Sequence, residues 1–169
     1  MNAAAGPQAA ALPPLEGVGA IDPARQREVV AALRAVLPEH CLLYREEDTR
    51  PYECDALTLY RQLPMAVALP ETVEQVRQVL RICHALGVPV VPRGAGTSLS
   101  GGAMPHCAGV VLSMAKFNRI LAIDSLARTA TVEPGVRNLA ISEAAAPYGL
   151  YYAPDPSSQI GRASCRERV

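Results

Sequence analysis

The chain has 169 residues, half of them hydrophobic, which is enough apolar material for the core of one domain. Its 16 basic and 16 acidic residues give a formal net charge of zero, and only 4% of its residues are aromatic, which argues against nucleic-acid binding. The five cysteines, an odd number without a Cys-x-x-Cys pair, argue against a disulfide framework and predict a reducing, cytoplasmic location.

Residues 1–20 are predicted to be a flexible lead-in. They are rich in alanine and proline but lack the basic start and the uninterrupted apolar run of a signal peptide or membrane anchor, so no transmembrane segment is expected there. A first α/β subdomain is predicted over residues 21–125. It begins with an amphipathic helix, which we expect Asp22 to cap and Pro38 to end.

Histidine and cysteine are neighbours at three places, namely His40–Cys41, Cys83–His84 and His106–Cys107. Both residue types bind zinc, but adjacent side chains on a helix or strand point apart. We therefore predict no metal site, and we interpret the pairs as small buried cysteines beside surface histidines.

A strand–helix–strand unit is predicted over residues 65–91. Residues 65–69 have the composition of a strand, and Thr72 with Gln75 forms the pattern of a capping box. Apolar residues then recur at helical spacing as far as Gly87, and residues 88–91 form a β-branched run. The two strands of such a unit are parallel, so the segment after residue 91 should lie at the carboxyl edge of the sheet, where open α/β sheets bind ligands.

That segment is the strongest candidate site in the sequence. The predicted binding residues are Pro92, Arg93, Gly94, Ala95, Gly96, Thr97, Ser98, Leu99, Ser100, Gly101 and Gly102. Glycines permit a positive φ and the close approach of backbone N–H groups to an anion. The hydroxyl groups and Arg93 add further donors and a positive charge suited to phosphate.

Two common phosphate loops do not match this segment. A P-loop needs a lysine before its Ser or Thr, and there is none between Val88 and Pro105. A Rossmann fingerprint opens directly onto a helix, whereas Gly102 precedes Pro105 and then a strand-like run at residues 109–114. From composition alone, an ordinary glycine-rich surface loop also stays open.

The remaining elements are predicted to be mainly antiparallel. Residues 110–114 form a further strand, and residues 120–123 and 129–132 form a hairpin. An alanine-rich helix covers residues 138–146, and Tyr151 with Tyr152 is interpreted as a half-buried strand. Residues 126–159 are therefore expected to begin a second subdomain, ending in a rigid proline-rich turn.

The glycine loop resembles the pyrophosphate loop of FAD-linked oxidases of the p-cresol methylhydroxylase and vanillyl-alcohol oxidase type. Four further segments are similar to that family, at residues 51–55, 115–120, 132–139 and 151–159. Within the family, the chain most resembles the flavin-carrying subunits of bacterial glycolate oxidases. The resemblance implies an α+β fold, in which a small βαβ subdomain precedes an incomplete, mainly antiparallel second subdomain.

The resemblance also implies a function. FAD is the expected cofactor, with its pyrophosphate held by Arg93 and the loop amides. A second contact is expected from the proline turn, comprising Pro154, Asp155, Pro156, Ser157 and Ser158. The implied reaction is the oxidation of a small 2-hydroxy acid such as glycolate. Implied partners are other glycolate oxidase subunits, including an iron–sulfur subunit, which would bring the protein to the inner membrane peripherally.

Relatives of this kind handle the hydroxy acid with residues that lie further along the chain, so no catalytic residue is expected among these 169. We expect the chain alone to hold FAD weakly and to turn over no hydroxy acid. Residues 160–169 depart from the family and match one reading frame of a common sequencing adapter. They are therefore expected not to belong to the natural protein.

Three questions stay open at this level. The segment at residues 52–55 is either a turn capped by Asp55 or a segment near the flavin. The whole chain is alternatively a nucleotide-binding module without redox chemistry, or a truncated fragment without function.

Overall fold

The structure, a computed structural model, describes residues 18–153. The helices are α1 (Pro23–Arg34), α2 (Glu46–Thr49), α3 (Val73–Ala85) and α4 (Asn138–Ala145). The strands are β1 (Leu42–Leu43), β2 (Ala66–Ala68), β3 (Val90–Arg93), β4 (Val110–Ser113), β5 (Ile120–Asp124) and β6 (Thr129–Val132). Short 3₁₀ turns cover Glu39–Cys41, Arg50–Tyr52 and Ala146–Tyr148.

Four strands form the main sheet in the order β1-β2-β4-β3. Strands β2 and β3 are both parallel to β4, with Val67 and Val91 each in register with Val111, and β1 is antiparallel to β2. The predicted parallel strand–helix–strand unit is therefore confirmed. Its two strands are not neighbours, because the fully buried strand β4 lies between them.

The core lies between this sheet and helices α1 and α3. Leu33 of α1, with Val79 and Cys83 of α3, is completely buried in a cluster that includes alternate residues of β2 and β4. The other residues of those strands, including Val67 and Val111, are also completely buried. Burial on both faces is typical of parallel sheets, and it explains why these strands are continuous apolar runs.

Local signals in the sequence set the starts of both long helices. The Asp22 carboxylate accepts a hydrogen bond from the Ala24 amide at 2.9 Å. Thr72 and Gln75 form the predicted capping box, each side chain accepting from the other's backbone amide. Helix α1 ends at Arg34, four residues before the predicted stop, because the chain tightens into a turn in which the Ala35 amide donates to the Ala32 carbonyl and the Val36 amide to the Leu33 carbonyl.

Strands β5 and β6 form a separate antiparallel hairpin, as predicted. The hairpin leaves large apolar side chains exposed, with Leu121 at 56% and Leu126 at 96% exposure. The strand predicted at Tyr151 and Tyr152 is wrong, since no strand is assigned to residues 149–153 and Tyr151 is 71% exposed. No helix within residues 18–153 is both long enough and apolar enough to cross a bilayer.

An ion pair closes the open end of this hairpin. The Arg119 side chain donates to Glu133 Oε1 through Nε at 3.0 Å and Nη2 at 2.7 Å, and its backbone amide donates to Oε2 at 2.8 Å. The side chain of Glu133 is only 11% exposed. These hydrogen bonds, from the Arg119 side chain first and its amide second, hold the pKa of Glu133 below its usual value of 4.5.

The pair therefore makes stability depend on pH. Because the folded-state pKa of Glu133 is the lower one, its stabilisation is complete above the unfolded-state pKa and is lost as pH falls through the folded-state pKa. Glu133→Gln should lower the urea midpoint at neutral pH, and the difference from the unmodified chain should close in acid. Glu143→Gln is the control, because Glu143 is exposed and forms no ion pair within residues 18–153. An equal deficit at every pH would contradict the prediction.

Candidate functional site

The glycine loop starts at the carboxyl end of β3, as expected. The last residue of that strand, Arg93, is paired with Ser113 of β4, and its carbonyl accepts a hydrogen bond from the Met114 amide at 2.9 Å. The turn that precedes α4 lies at the same edge of the sheet. A Cβ on Gly135 would lie 2.3 Å from the Met114 carbonyl oxygen, so only glycine permits this approach.

Most amides of the loop have no partner among the described residues. Within residues 18–153, the backbone N–H groups of residues 94–99, 101 and 102 donate no hydrogen bond, and Ser100 donates only to Ser98 Oγ at 3.3 Å. Residues 94–102 are exposed or half-buried, so solvent can reach this loop. Successive N–H groups of this kind are candidate donors to an anion.

Residues 94–98 and Gly102, which carry six of these donors, line a cleft of about 290 Å³. Its walls are Pro92, residues 94–98, Gly102 and Ala103. Four predicted site residues, Arg93, Leu99, Ser100 and Gly101, do not line it. A larger cleft of about 430 Å³ lies near Gly19, but its charged groups are already paired, Glu53 with Arg61 and Glu46 with Arg50.

Two glycines have the backbone conformation that the sequence predicts. Gly96 has φ +71° and Gly101 has φ +72°, both in the left-handed region that other residues avoid. Gly96 also packs closely, because a Cβ at this position would lie 2.2 Å from Arg93 Nη2. The loop therefore lies directly on the arginine side chain.

Arg93 is buried beneath the loop, with an exposure of 9%. Its Nη1 donates to the Cys54 carbonyl at 2.8 Å and to the Ala103 carbonyl at 3.4 Å, and its guanidinium lies 5.5 Å from the centre of the Tyr52 ring. The side chain thus joins the far end of the loop to a distant segment. Sequence reasoning predicted the charge at this position but not its structural contacts, which depend on residues 39 positions away.

The segment at residues 52–55 lies against the glycine loop. The Ala56 amide donates to the Ser98 carbonyl at 3.1 Å, and Asp55 Oδ1 accepts from the Leu57 amide at 2.9 Å. No helix follows, so Asp55 caps a turn rather than a helix. Its other oxygen, Oδ2, is buried and has no partner within the described chain.

A second buried polar group was missed by sequence reasoning. Asn138 begins α4 and is only 6% exposed, yet neither its Oδ1 nor its Nδ2 has a partner within residues 18–153. Buried amides are normally satisfied, so an unpaired one indicates a partner outside the described residues. The only signal in the sequence was an asparagine just after the Pro134–Gly135 turn.

The predicted second contact, residues 154–158, lies outside the described residues.

Away from the glycine loop, His40, Cys41 and Glu71 form a cluster. Their possible metal-ligand atoms all lie within 4.8 Å of one another. The argument that adjacent His and Cys side chains point apart is therefore wrong for His40 and Cys41, which lie in a 3₁₀ turn. The ammonium group of Lys116 contacts both the Cys41 thiol, at 3.3 Å, and the Glu71 carboxylate, at 2.7 Å. The chain thus supplies its own cation to this cluster.

Known proteins resemble the chain in sequence and in structure. The FAD binding domain family matches residues 64–161. The chain is 55% identical over 142 residues to glycolate oxidase subunit GlcD of Escherichia coli (strain K12), covering 84% of this chain and 28% of that protein. It is 35% identical over 136 residues to D-2-hydroxyglutarate dehydrogenase of Xanthomonas citri pv. viticola, covering 80% and 28%.

Among solved structures, p-cresol methylhydroxylase with substrate bound aligns with a TM-score of 0.67 and 25% identity, over 77% of this chain and 26% of that one. This likeness confirms the predicted α+β fold of the p-cresol methylhydroxylase type. The chain spans less than a third of the length of the curated relatives just described.

The packing of Gly96 on Arg93 can be tested by substitution. Gly96→Ala should lower the free energy of unfolding by about 1–3 kcal/mol from the left-handed backbone alone, and by more from the contact with the guanidinium. Gly101→Ala is the matched control, since Gly101 has the same left-handed backbone, with φ +72°, but its Cβ would meet nothing within 4 Å, so it should lose only the backbone part of about 1–3 kcal/mol. Urea unfolding measures both. Equal stability of the two variants would contradict this packing.

Proposed function

The chain belongs to the family of FAD-binding domains, and from this premise we propose that it is the FAD-binding part of an oxidoreductase that acts on small 2-hydroxy acids. The observation that supports this most directly is the set of backbone amides in the glycine loop that have no partner among residues 18–153. They lie at the carboxyl edge of a parallel sheet, the usual place for a nucleotide ligand in such folds.

The loop is proposed to hold the diphosphate of FAD. Residues 94–98 and Gly102 line the cleft, so their N–H groups are the nearest donors to an anion inside it. The buried guanidinium of Arg93 lies just beneath Gly96 and adds a positive charge that bulk water screens little. Its bonds to two carbonyls keep the loop in shape, so Arg93 serves binding both by its charge and by positioning.

Other polar groups are proposed to complete the cofactor site. Asp55 Oδ2 and the Asn138 amide are buried without partners in the described chain, next to the loop and at the start of α4 respectively. Residues 154–158 remain the proposed second contact. Bound FAD would supply the redox chemistry by taking a hydride from the α-carbon of the acid, while the protein supplies binding and orientation.

The proposed substrate class rests on the relatives. The Escherichia coli relative is named for glycolate and the Xanthomonas relative for D-2-hydroxyglutarate, and both compounds are 2-hydroxy acids. The chain covers about 28% of each, so we place the groups that hold the acid in the remaining part of the longer protein.

Because the Escherichia coli relative is a subunit, further subunits are proposed partners, among them an iron–sulfur subunit. A cytoplasmic location, peripheral to the inner membrane, is proposed on the same basis.

A nucleotide-binding module without redox chemistry is the second candidate. The observation in its favour is the size of the cleft, because about 290 Å³ suits a diphosphate from any nucleotide. ADP and FAD share that diphosphate, so only the flavin half of the ligand distinguishes the two functions.

Competition among ligands tests the proposed role of the loop. FAD should bind the full chain, ADP should displace it, and riboflavin, which has no phosphate, should bind at least about tenfold more weakly, since each charge-assisted hydrogen bond contributes about 1.5–3 kcal/mol. Flavin fluorescence follows the titration. Equal binding of riboflavin and FAD would contradict a diphosphate site, and ADP binding without FAD binding would favour the second candidate.

Turnover tests the proposed location of the substrate groups. The 169-residue chain loaded with FAD should show no reduction by glycolate, whereas the longer protein that contains it should lose its flavin absorbance when glycolate is added without oxygen. Glycolate oxidation by the short chain would contradict the assignment of the substrate site to the rest of the protein.

A further inference from the structure

Four side chains from three separate segments meet near the carboxyl edge of the main sheet. Cys41 lies immediately before β1, Glu71 lies three residues after β2, and Lys116 lies three residues after β4. The Lys116 ammonium is 3.3 Å from Cys41 Sγ and 2.7 Å from Glu71 Oε1. His40 Nε2 lies 3.2 Å from the same carboxylate oxygen.

The proposed flavin site uses none of these groups. The Cys41 side chain is completely buried, while 29% of the Lys116 side chain and 64% of the His40 side chain are exposed. The thiol therefore faces an amine on the inside of the cluster, and the imidazole connects the cluster with solvent. This order of groups suits a reaction that joins sulfur to nitrogen and releases a proton.

We propose that Cys41 and Lys116 are an oxidative modification site, at which dioxygen joins Sγ and Nζ through a single bridging oxygen atom. Sγ and Nζ are 3.3 Å apart, so a single oxygen atom can bridge them with little movement of either segment. The cross-link does not depend on the proposed flavin chemistry, because dissolved dioxygen is the oxidant.

The reaction balances in two steps. The thiol first adds dioxygen to give a sulfur-bound hydroperoxide, S–O–O–H. The Lys116 nitrogen then attacks the oxygen attached to sulfur, the O–O bond breaks, and the departing hydroxide takes a proton from nitrogen to leave as water. Sulfur and nitrogen each lose two electrons, and these four electrons reduce dioxygen to the bridging oxygen and water.

Glu71 and His40 have defined roles in this step. Lysine must lose one proton before its nitrogen can attack. The hydrogen bond to Glu71 Oε1 holds the amine beside the thiol but also raises the pKa of Lys116, so the reaction should become faster as pH rises. The exposed His40 contacts the same carboxylate oxygen at 3.2 Å. Glu71 and His40 are thus positioning groups, while the bond forms between Cys41 and Lys116.

The cross-link would join segments 75 residues apart in sequence. Such a link restricts the unfolded chain, so the oxidised protein should unfold at a higher temperature. Lys116 also directly precedes Phe117, whose carbonyl accepts a hydrogen bond from the Gly135 amide at 2.7 Å. The bridge would therefore hold the connection between the main sheet and the hairpin.

The test compares the full chain purified without oxygen with the same protein exposed to air. Exposure should add one oxygen atom and remove two hydrogen atoms in the intact mass, and peptide mapping should join the peptides that contain Cys41 and Lys116. Dithiothreitol should reverse the change and lower the denaturation temperature to that of the anaerobic protein. Separate, unmodified Cys41 and Lys116 peptides after exposure to air would overturn the proposal.

Variants assign the change to these groups. Lys116→Arg keeps a cation beside Glu71 but offers no amine, and it should abolish the mass change, as should Cys41→Ser. Glu71→Gln removes the carboxylate whose hydrogen bond raises the pKa of Lys116, so the change should proceed at a lower pH than in the unmodified chain. Cys107→Ser, which removes a thiol outside the cluster, should leave it intact. The same mass change in Lys116→Arg, with folding verified by circular dichroism, would equally overturn the proposal.

Discussion

The buried guanidinium of Arg93 is the contact on which the candidate site depends. It hydrogen-bonds the carbonyls of Cys54 and Ala103, and Gly96 packs directly against it. Most amides of this loop have no hydrogen-bond partner within residues 18–153, so few backbone hydrogen bonds of its own support its shape. The contacts of Arg93 with two carbonyls and with Gly96 supply part of that support.

The parallel sheet explains why the functional groups are close together. Strands β2, β4 and β3 are parallel neighbours, so the segments that follow them leave from one edge. The glycine loop follows β3, Lys116 follows β4 and Glu71 follows β2. One edge therefore carries both the cleft of the glycine loop and the cysteine–lysine cluster. Of these strands, β2 and β4 are buried along their whole length, whereas β3 is buried only at Arg93.

Local chemistry was the most predictable part of the fold. The capping box at Thr72, the cap at Asp22 and the positive φ of Gly96 each depend on a few neighbouring residues, and each was predicted correctly. The position of β4 between β2 and β3 was not predicted, because strand order depends on packing between distant segments. The exposed conformation of Tyr151 was missed for the same reason, since strand propensity needs a partner strand to take effect.

In the candidate site, too, local features were predictable from the sequence and contacts between distant segments were not. The sequence predicted which loop offers amides and hydroxyl groups, since glycine and serine content is local information. It did not predict that Arg93 points beneath the loop, that Asn138 is buried without a partner, or that His40 and Cys41 face one carboxylate. Each of these facts depends on a contact between segments far apart in the chain. Spacing rules for metal ligands failed at His40 because they assume regular helices or strands, whereas a 3₁₀ turn places neighbouring side chains differently.

The hairpin of β5 and β6 is less well packed than the main sheet. A two-stranded hairpin is marginal in water, and this one exposes Leu121 and Leu126. The described contacts that hold it include the Arg119–Glu133 pair at its open end and the Gly135 turn against the carbonyls of Met114 and Phe117. These two act at the junction with β4, while helix α4 packs against β5. Order in the hairpin therefore depends on order in the segment between β4 and β5, which contains Lys116, so the junction links the sheet edge to everything that follows it.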